Sequence, residues 1–275
     1  MGLRITTNLP SISAQRVLEV QQKRMNQATQ KLASGSRIVQ AADDAAGLSI
    51  SEFLKGQTRG IAMARNNAFS AGSSIQVAEG GLNEINNILI RMRELGIQAA
   101  SDTIGDKERQ FLSEEAKQLT EEADRIANTT QFGSRKLLDG SGGELEFHVG
   151  AFAGEENVIK YTSSTNARAD ELGITAIDVN DKESARESLQ VVDDALQRIG
   201  EMRANFGSIQ SRLNATVSNL DIQFENLSAA NSRIRDTDVA KETAEMASAQ
   251  VLQQAAVSVL SQANQFPGVA LKLIG

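Results

Sequence analysis

Apolar residues recur along most of the chain at alternating steps of three and four. This is the spacing of a coiled-coil seam, the line of a and d positions at which helices pack. The longest uninterrupted run extends from Leu54 to Ala99 and predicts one helix over about residues 44–101. A turn and a return helix ending near Asn128 follow, and a second long seam predicts a helix from about 183 to 234.

Both ends of the chain carry shorter seams of small apolar and amide side chains. A lone helix cannot bury such a face against itself, so we expect the two end helices to pack on each other. Pro267 predicts that the last helix stops near Gln265 or Phe266. The predicted seam positions are Ala14, Leu18, Gln21, Met25, Ala28 and Leu32 at one end, and Ala249, Leu252, Ala256, Val259, Ala263 and Phe266 at the other.

Helix breakers and capping residues separate these runs. Gly35 lies just past the first run and predicts its end. Asp43-Asp44 and Asp236-Thr237-Asp238 offer N-caps for the helices that follow them. Between the long helices, Leu145, Phe147 and Val149 alternate with polar residues and predict a half-buried strand, which a second strand over 157–162 would pair as a hairpin.

The predicted fold is mainly α. We expect an elongated rod of long antiparallel coiled-coil-like helices, with a small β-hairpin segment and with the N- and C-termini paired. Residues 1–42 and 236–275 would form a terminal helix domain, and residues 43–235 a domain of long helices with its β segment at about 132–180.

Composition excludes several classes of function. The net charge of −7 and the absence of Lys/Arg runs argue against nucleic acid. No apolar run approaches the roughly 20 residues of a membrane span, and the first residues lack the apolar core of a secretory signal. With no cysteine and one histidine, His148, we expect no metal, cofactor or catalytic residues, and so no enzyme.

Several motifs, in order along the chain, resemble those of bacterial flagellin. The likeness covers residues 1–140 and 185–275 and leaves only a short insert, as in a short flagellin with a minimal variable region. The motifs are 32–38 and 42–48 near the start, 79–85 and 91–98 on the first long helix, 130–133 with 136–138 after the return helix, and 226–230, 232–236, 252–255 and 262–265 near the end.

The resemblance implies a structural subunit of the hollow flagellar filament used in swimming. It implies export by the flagellar type III apparatus without a cleaved signal peptide, and an extracellular location. It also implies binding of an export chaperone to about 238–275, and contacts with the junction and cap proteins of the flagellum.

The resemblance further implies a site for an animal Toll-like receptor. The family's receptor contacts correspond to Arg91, Leu95 and Glu115. For the bacterium, we expect the same residues to serve subunit packing first.

The terminal seams also predict a mechanism. Because they bury little surface alone, we expect them to be disordered in the monomer and to fold when copies stack head to tail. The polymerisation residues would then be Ala14, Leu18, Met25, Leu32, Leu252, Ala256, Val259, Ala263 and Phe266. Three alternatives stay open: a hook–filament junction protein, a cytoplasmic coiled-coil scaffold, and an enzyme with its site in 141–184.

Overall fold

The computed structural model describes residues 7–163 and 165–274, without the side chains of 162, 163, 266, 267 and 269–274. The described chain is mainly α-helical, as predicted. Its helices are α1 (Leu9–Ser34), α2 (Ala45–Ala99), α3 (Asp106–Thr129), α4 (Ala169–Leu172), α5 (Lys182–Arg235) and α6 (Val239–Ile274). Its strands are β1 (Gln131–Phe132), β2 (Arg135–Lys136), β3 (Gly143–His148) and β4 (Val158–Ser163).

The chain forms two compact units. The first comprises Met1–Gly56 and Asn226–Gly275, and the second Gln57–Glu225. The first unit therefore takes in the start of α2 and the end of α5, whereas the sequence placed the boundaries at the helix junctions near 42 and 236.

In the first unit, α1 and α6 are antiparallel and in contact, so the pairing of the chain's two ends is confirmed. Gly35 ends α1 with a left-handed φ of 67°, which glycine adopts without steric cost. The residues beyond it pair with the α5–α6 junction: Arg37 N–H donates to the Arg235 carbonyl at 2.7 Å, and Thr237 N–H to the Gly35 carbonyl at 3.0 Å.

Aspartate side chains cap the N-termini of three helices, and two of these caps were predicted. Asp44 accepts a hydrogen bond from Gly47 N–H at the start of α2, and Asp238 accepts one from Lys241 N–H at the start of α6. Asp181 accepts from two backbone N–H groups at the start of α5. These carboxylates satisfy backbone donors that helix starts leave free.

In the second unit, α2 lies antiparallel to both α3 and α5. Ion pairs mark the α2–α5 register, with Arg65 Nη1 at 2.9 Å from Asp221 and Arg93 Nε at 2.6 Å from Asp193. The interface between the helices is apolar, and its fully buried side chains include Leu82, Ile85, Leu89, Leu95 and Ile199.

The predicted hairpin is confirmed and packs on this helical core. Strands β3 and β4 pair antiparallel, with Leu145 opposite Tyr161 and Phe147 opposite Ile159. Leu145, Ile159 and Tyr161 are buried in the core of the unit, and the Tyr161 ring lies 5.8 Å from that of Phe206. The short β1–β2 pair was not predicted, because strands of two residues carry no alternating pattern.

The predicted end of the last helix was wrong. Helix α6 continues through Pro267 to Ile274. Proline removes one backbone donor and can bend a helix without ending it. The paired glycines Gly80 and Gly81 likewise do not interrupt α2.

Candidate assembly surface of the terminal helix pair

Small buried residues line the contact between α1 and α6, seven positions apart on α6 and fourteen apart on α1. Ala14 and Ala28 on α1, and Ala249, Ala256 and Ala263 on α6, are buried. Leu18, Met25 and Leu32 are half-buried. These predicted seam residues therefore lie where the two helices meet, and most of the fully covered side chains are small.

The predicted α6 seam was wrong at two positions. Leu252 is 47% exposed and Val259 is 54% exposed, so neither packs in the α1–α6 interface. The half-buried Gln253 and Leu260 occupy the corresponding inner positions. Either pair, Leu252 with Val259 or Gln253 with Leu260, alternates with the buried alanines at steps of three and four. The spacing alone therefore could not show which pair faces α1. The side chain of Phe266 lies outside the described residues.

Polar contacts fix the register of the two helices. Asn8 Nδ2 donates to the Ala263 carbonyl at 2.8 Å, Gln253 Nε2 donates to Gln22 Oε1 at 2.5 Å, and Lys31 Nζ lies 3.1 Å from Glu242 Oε1. Sequence reasoning missed Glu242, although it lies seven residues before Ala249 and so shares its side of the helix.

The outer surfaces of both helices carry large apolar side chains that the pair does not cover. Scattered exposed apolar residues are ordinary on soluble proteins. Here they lie on two helices that pack together, and apolar side chains left uncovered on such a pair make it a candidate interaction site. They are Leu9, Ile12, Val17 and Val20 on α1, and Val239, Val251, Leu252, Val257 and Val259 on α6.

The structure brings two of the three candidate receptor residues together. Arg91 Nε donates to Glu115 Oε1 at 2.9 Å, and Arg91 Nη1 donates to Glu94 Oε2 at 3.0 Å. These hydrogen bonds, that to Glu115 first, raise the pKa of the Arg91 guanidinium above its ordinary value. Both members of the Arg91–Glu115 pair are partly exposed to solvent.

Leu95 does not belong to this surface. Its side chain is fully buried against Ala99, Ala116, Val179 and Ala185. The expectation that Leu95 contacts a receptor is therefore wrong for this conformation. Helix α2 packs against α3 on one side and α5 on another, so its covered stripe is wider than one seam and takes in Leu95.

The described residues offer no cluster of acidic and histidine side chains that could hold a metal ion. His148 is exposed, and its backbone carbonyl accepts a hydrogen bond from Asn67 Nδ2 at 3.0 Å. Within the same described ranges, no helix is both long enough and apolar enough to cross a membrane.

Comparison with protein families matches both ends of the chain. Residues 5–142 match the bacterial flagellin N-terminal helical region, and residues 189–274 match the bacterial flagellin C-terminal helical region. The chain belongs to the bacterial flagellin family. The stretch between the two matches contains β3, β4 and α4.

Curated flagellins align with this flagellin over nearly its whole length. A flagellin of Halalkalibacterium halodurans is 41% identical over 270 residues, covering 98% of this chain and 99% of the relative. Polar flagellin A of Vibrio parahaemolyticus is 32% identical over 376 aligned positions that cover both chains completely. With 275 residues, this chain is a short form.

Solved structures agree with the family. The crystal structure of Bacillus cereus flagellin aligns with a TM-score of 0.51 and 28% identity, covering 60% of this chain and 94% of that one. A putative flagellar hook-associated protein from Vibrio parahaemolyticus shares the fold with a TM-score of 0.60 at 15% identity. This flagellin is thus a structural subunit of the extracellular bacterial flagellar filament, and its family is one of self-polymerising subunits.

Proposed function

We propose that this flagellin polymerises head to tail through the outer surfaces of α1 and α6, and that the two helices become ordered as copies stack. One observation carries the proposal. The α1–α6 pair covers mainly alanines and amides, whereas Val17, Val20, Leu252 and Val259 stay about half exposed. Packing between copies would remove these apolar side chains from water. A head-to-tail contact that does not close into a ring gives a helical filament.

The energetics support coupled ordering and assembly. Fixing each residue costs about 1–2 kcal/mol of backbone entropy, and alanines return little apolar area when they are buried. Full burial of one Leu or Val contributes about 1.5–3 kcal/mol, so covering the exposed half contributes about 1 kcal/mol. Leu252 and Val259 together would then change the critical concentration for polymerisation by about ten- to hundredfold.

The test is polymerisation of the double variant Leu252→Gln, Val259→Gln. Both side chains are exposed, so the isolated chain should keep its thermal unfolding temperature. The critical concentration, measured by sedimentation of filaments, should rise at least about tenfold. The matched control is Leu252→Met, Val259→Ile, which keeps both positions apolar and should polymerise like the parent. Equal critical concentrations for all three proteins would overturn the proposed surface.

Membership of the flagellin family also supports a proposal on how the chain is exported before it joins the filament. We propose that the chain is exported through the flagellar type III apparatus without a cleaved signal peptide, and that an export chaperone covers 238–275 before assembly. A chaperone on α6 would hide the apolar side chains that otherwise drive premature polymerisation. Mass spectrometry of filament subunits tests the first point, because a cleaved leader would shorten them. Addition of the chaperone should raise the critical concentration.

Contacts with other flagellar proteins belong to the same proposal. The junction and cap proteins would meet copies at the two ends of the filament. A hook–filament junction protein remains the nearest alternative function, because its family shares the fold. Long filaments formed by the purified chain alone favour the filament subunit, since a junction protein should not extend indefinitely. A cytoplasmic scaffold would instead stay as small oligomers.

A second proposed partner is the animal Toll-like receptor for flagellin. The exposed Arg91–Glu115 ion pair would make the contact, and Leu95 would act only by packing the helices beneath it. Arg91→Ala should weaken receptor signalling in reporter cells, whereas Arg125→Ala, another exposed arginine with an acidic partner, should not. Equal signalling by both variants contradicts the assignment to Arg91.

A further inference from the structure

The chain contains a single Asp-Gly pair, Asp139-Gly140, and no Asn-Gly pair. The pair lies between β2 and β3 and contacts the segment that follows β4. Asp139 forms an antiparallel bridge with Asn166, and Gly140 N–H donates to the Thr165 carbonyl at 3.2 Å. The Asp139 side chain is only 12% exposed. The pair is therefore held in place on both its backbone and its side chain.

Among aspartyl peptides, Asp-Gly isomerises most readily, because Gly has no Cβ to hinder the reacting nitrogen. The Gly nitrogen attacks the Asp side-chain carboxyl carbon, a C–N bond forms, and the N–H proton leaves with the carboxyl OH as water. Hydrolysis of the resulting succinimide takes up that water again. Opening at the other carbonyl gives isoaspartate, whose main chain is longer by one methylene. The reaction needs a free Gly N–H and a protonated carboxyl group, but no oxidant or cofactor.

The fold requires both members of this reactive pair. Gly140 has a left-handed φ of 79°, and a Cβ there would lie 3.0 Å from Asn166 Nδ2. Asp139 Oδ1 accepts hydrogen bonds from Ser141 N–H at 2.9 Å and from the Ser141 hydroxyl at 2.5 Å. Another residue at either position would be strained or would lose these bonds. The structure therefore keeps a chemically labile dipeptide in this loop.

We propose that Asp139-Gly140 is a latent site of backbone isomerisation, which the folded unit suppresses locally and which unfolding opens. Two contacts suppress the reaction. The bond to Thr165 holds the Gly140 nitrogen, and the bonds from Ser141 hold the Asp139 carboxylate on the next N–H along the chain. The inference does not depend on the proposed polymerisation.

The charge state of Asp139 acts in the same direction. Hydrogen bonds from Ser141, that of the hydroxyl first, lower the pKa of the Asp139 carboxyl below its ordinary value, and the nearby Lys136 ammonium lowers it further. A smaller fraction of the carboxyl is then protonated at neutral pH. Because only the protonated form loses its OH as water, the folded chain reacts more slowly.

Isomerisation would loosen the attachment of this loop. The extra methylene would disturb the bridge between Asp139 and Asn166. It would also lie next to the bond from Ala167 N–H to the carbonyl of the fully buried Leu138, at 2.8 Å. Because the filament is extracellular, its subunits lie beyond the reach of cytoplasmic repair enzymes. Suppression by the fold would then be what keeps this part of the subunit intact.

Incubation of the full chain at neutral pH, both folded and unfolded in guanidinium chloride, tests the proposal. Peptide mapping by chromatography and mass spectrometry separates the Asp139 and isoaspartate forms. If the folded chain reacts only through local opening, isoaspartate should accumulate at least about tenfold faster in the denaturant. Equal rates in the two conditions overturn the proposal.

Ser141→Ala tests whether the protection is local. Ser141 is exposed, so the variant should keep the unfolding temperature of the parent. The folded variant should isomerise several times faster than the folded parent, and the two should react alike in guanidinium chloride. Ser134→Ala, at an exposed serine in the turn between β1 and β2, is the matched control and should react like the parent. Equal rates for folded Ser141→Ala and the folded parent refute local protection, and the proposed function would stand.

Discussion

Alanine substitution at two adjacent glycines of α2, Gly80 and Gly81, should change the stability of the isolated chain differently. A Cβ at Gly81 would lie 2.8 Å from Leu138 Cδ1 and 2.8 Å from Thr130 Oγ1, both closer than normal contacts. Leu138 is fully buried, and Thr130 Oγ1 is held by a 2.7 Å bond to the Ile126 carbonyl, so neither atom can move away freely. At Gly80, apart from its chain neighbours and the backbone of its own helix, no atom lies within 4 Å of the added Cβ.

The magnitudes follow from two opposing effects. Replacing glycine with alanine inside a helix stabilises it by about 0.5–1 kcal/mol. Overpacking of a filled interior costs about 1–3 kcal/mol. Gly80→Ala should therefore stabilise the isolated chain, whereas Gly81→Ala should be neutral or destabilising by up to about 2 kcal/mol. The two variants should differ by about 1–3 kcal/mol, or about 2–12 °C in unfolding temperature.

Urea unfolding followed by far-UV circular dichroism measures both variants against the parent. Gly80→Ala is the matched control, because it makes the same chemical change one residue away on the same helix. If Gly81→Ala is as stable as Gly80→Ala, then the close approach of Leu138 and Thr130 to α2 is not as described. The same result would remove the packing reason for glycine at 81.

Two further predictions concern charged groups. Arg109 donates to the Ala99 carbonyl at 2.9 Å and to one more carbonyl just beyond α2, so Arg109→Met should destabilise the isolated chain by about 2–4 kcal/mol in urea unfolding. Arg125→Met, which breaks only an exposed ion pair, should cost less than about 1 kcal/mol. Equal losses for the two variants would contradict a stabilising role of the Arg109 hydrogen bonds to these carbonyls. The Lys182 hydrogen bond holds the pKa of Asp102 below its ordinary value, so this carboxylate stabilises the fold above the unfolded pKa of about 3.9 and ceases to do so as pH falls through the lower folded pKa. Unfolding free energy should therefore decline below about pH 4, and Asp102→Asn should decline less steeply; an unchanged slope would contradict the shift.

Sequence periodicity was sufficient for the long helices and for the hairpin. The steps of three and four placed α2, α3 and α5, and the alternation at Leu145 and Phe147 placed β3. These elements are buried against partners in the same chain, so their apolar patterns report the fold directly.

The same reasoning failed on α6, because α1, its partner in the same chain, covers only part of that helix. Two heptad stripes share the buried alanines, and the more apolar one, with Leu252 and Val259, looked like the internal seam. Helix α1 instead meets the stripe that carries Gln253 and Leu260. Hydrophobicity indicates that a face will be covered, but not whether the cover comes from the same chain or from another.

The candidate sites show a similar limit. Motif resemblance placed Arg91 and Glu115 on neighbouring helices, and the structure brings them into contact. It could not show that Leu95 is buried, because that depends on α2 packing against two helices at once.

Negative-stain electron microscopy of the purified chain at high concentration tests the central claim most directly. The intact chain should form long filaments of regular width, and a chain ending at Thr237, without α6, should form none while remaining helical by circular dichroism. Filaments from the shortened chain, or only small oligomers from the intact one, would contradict assembly through the terminal helix pair.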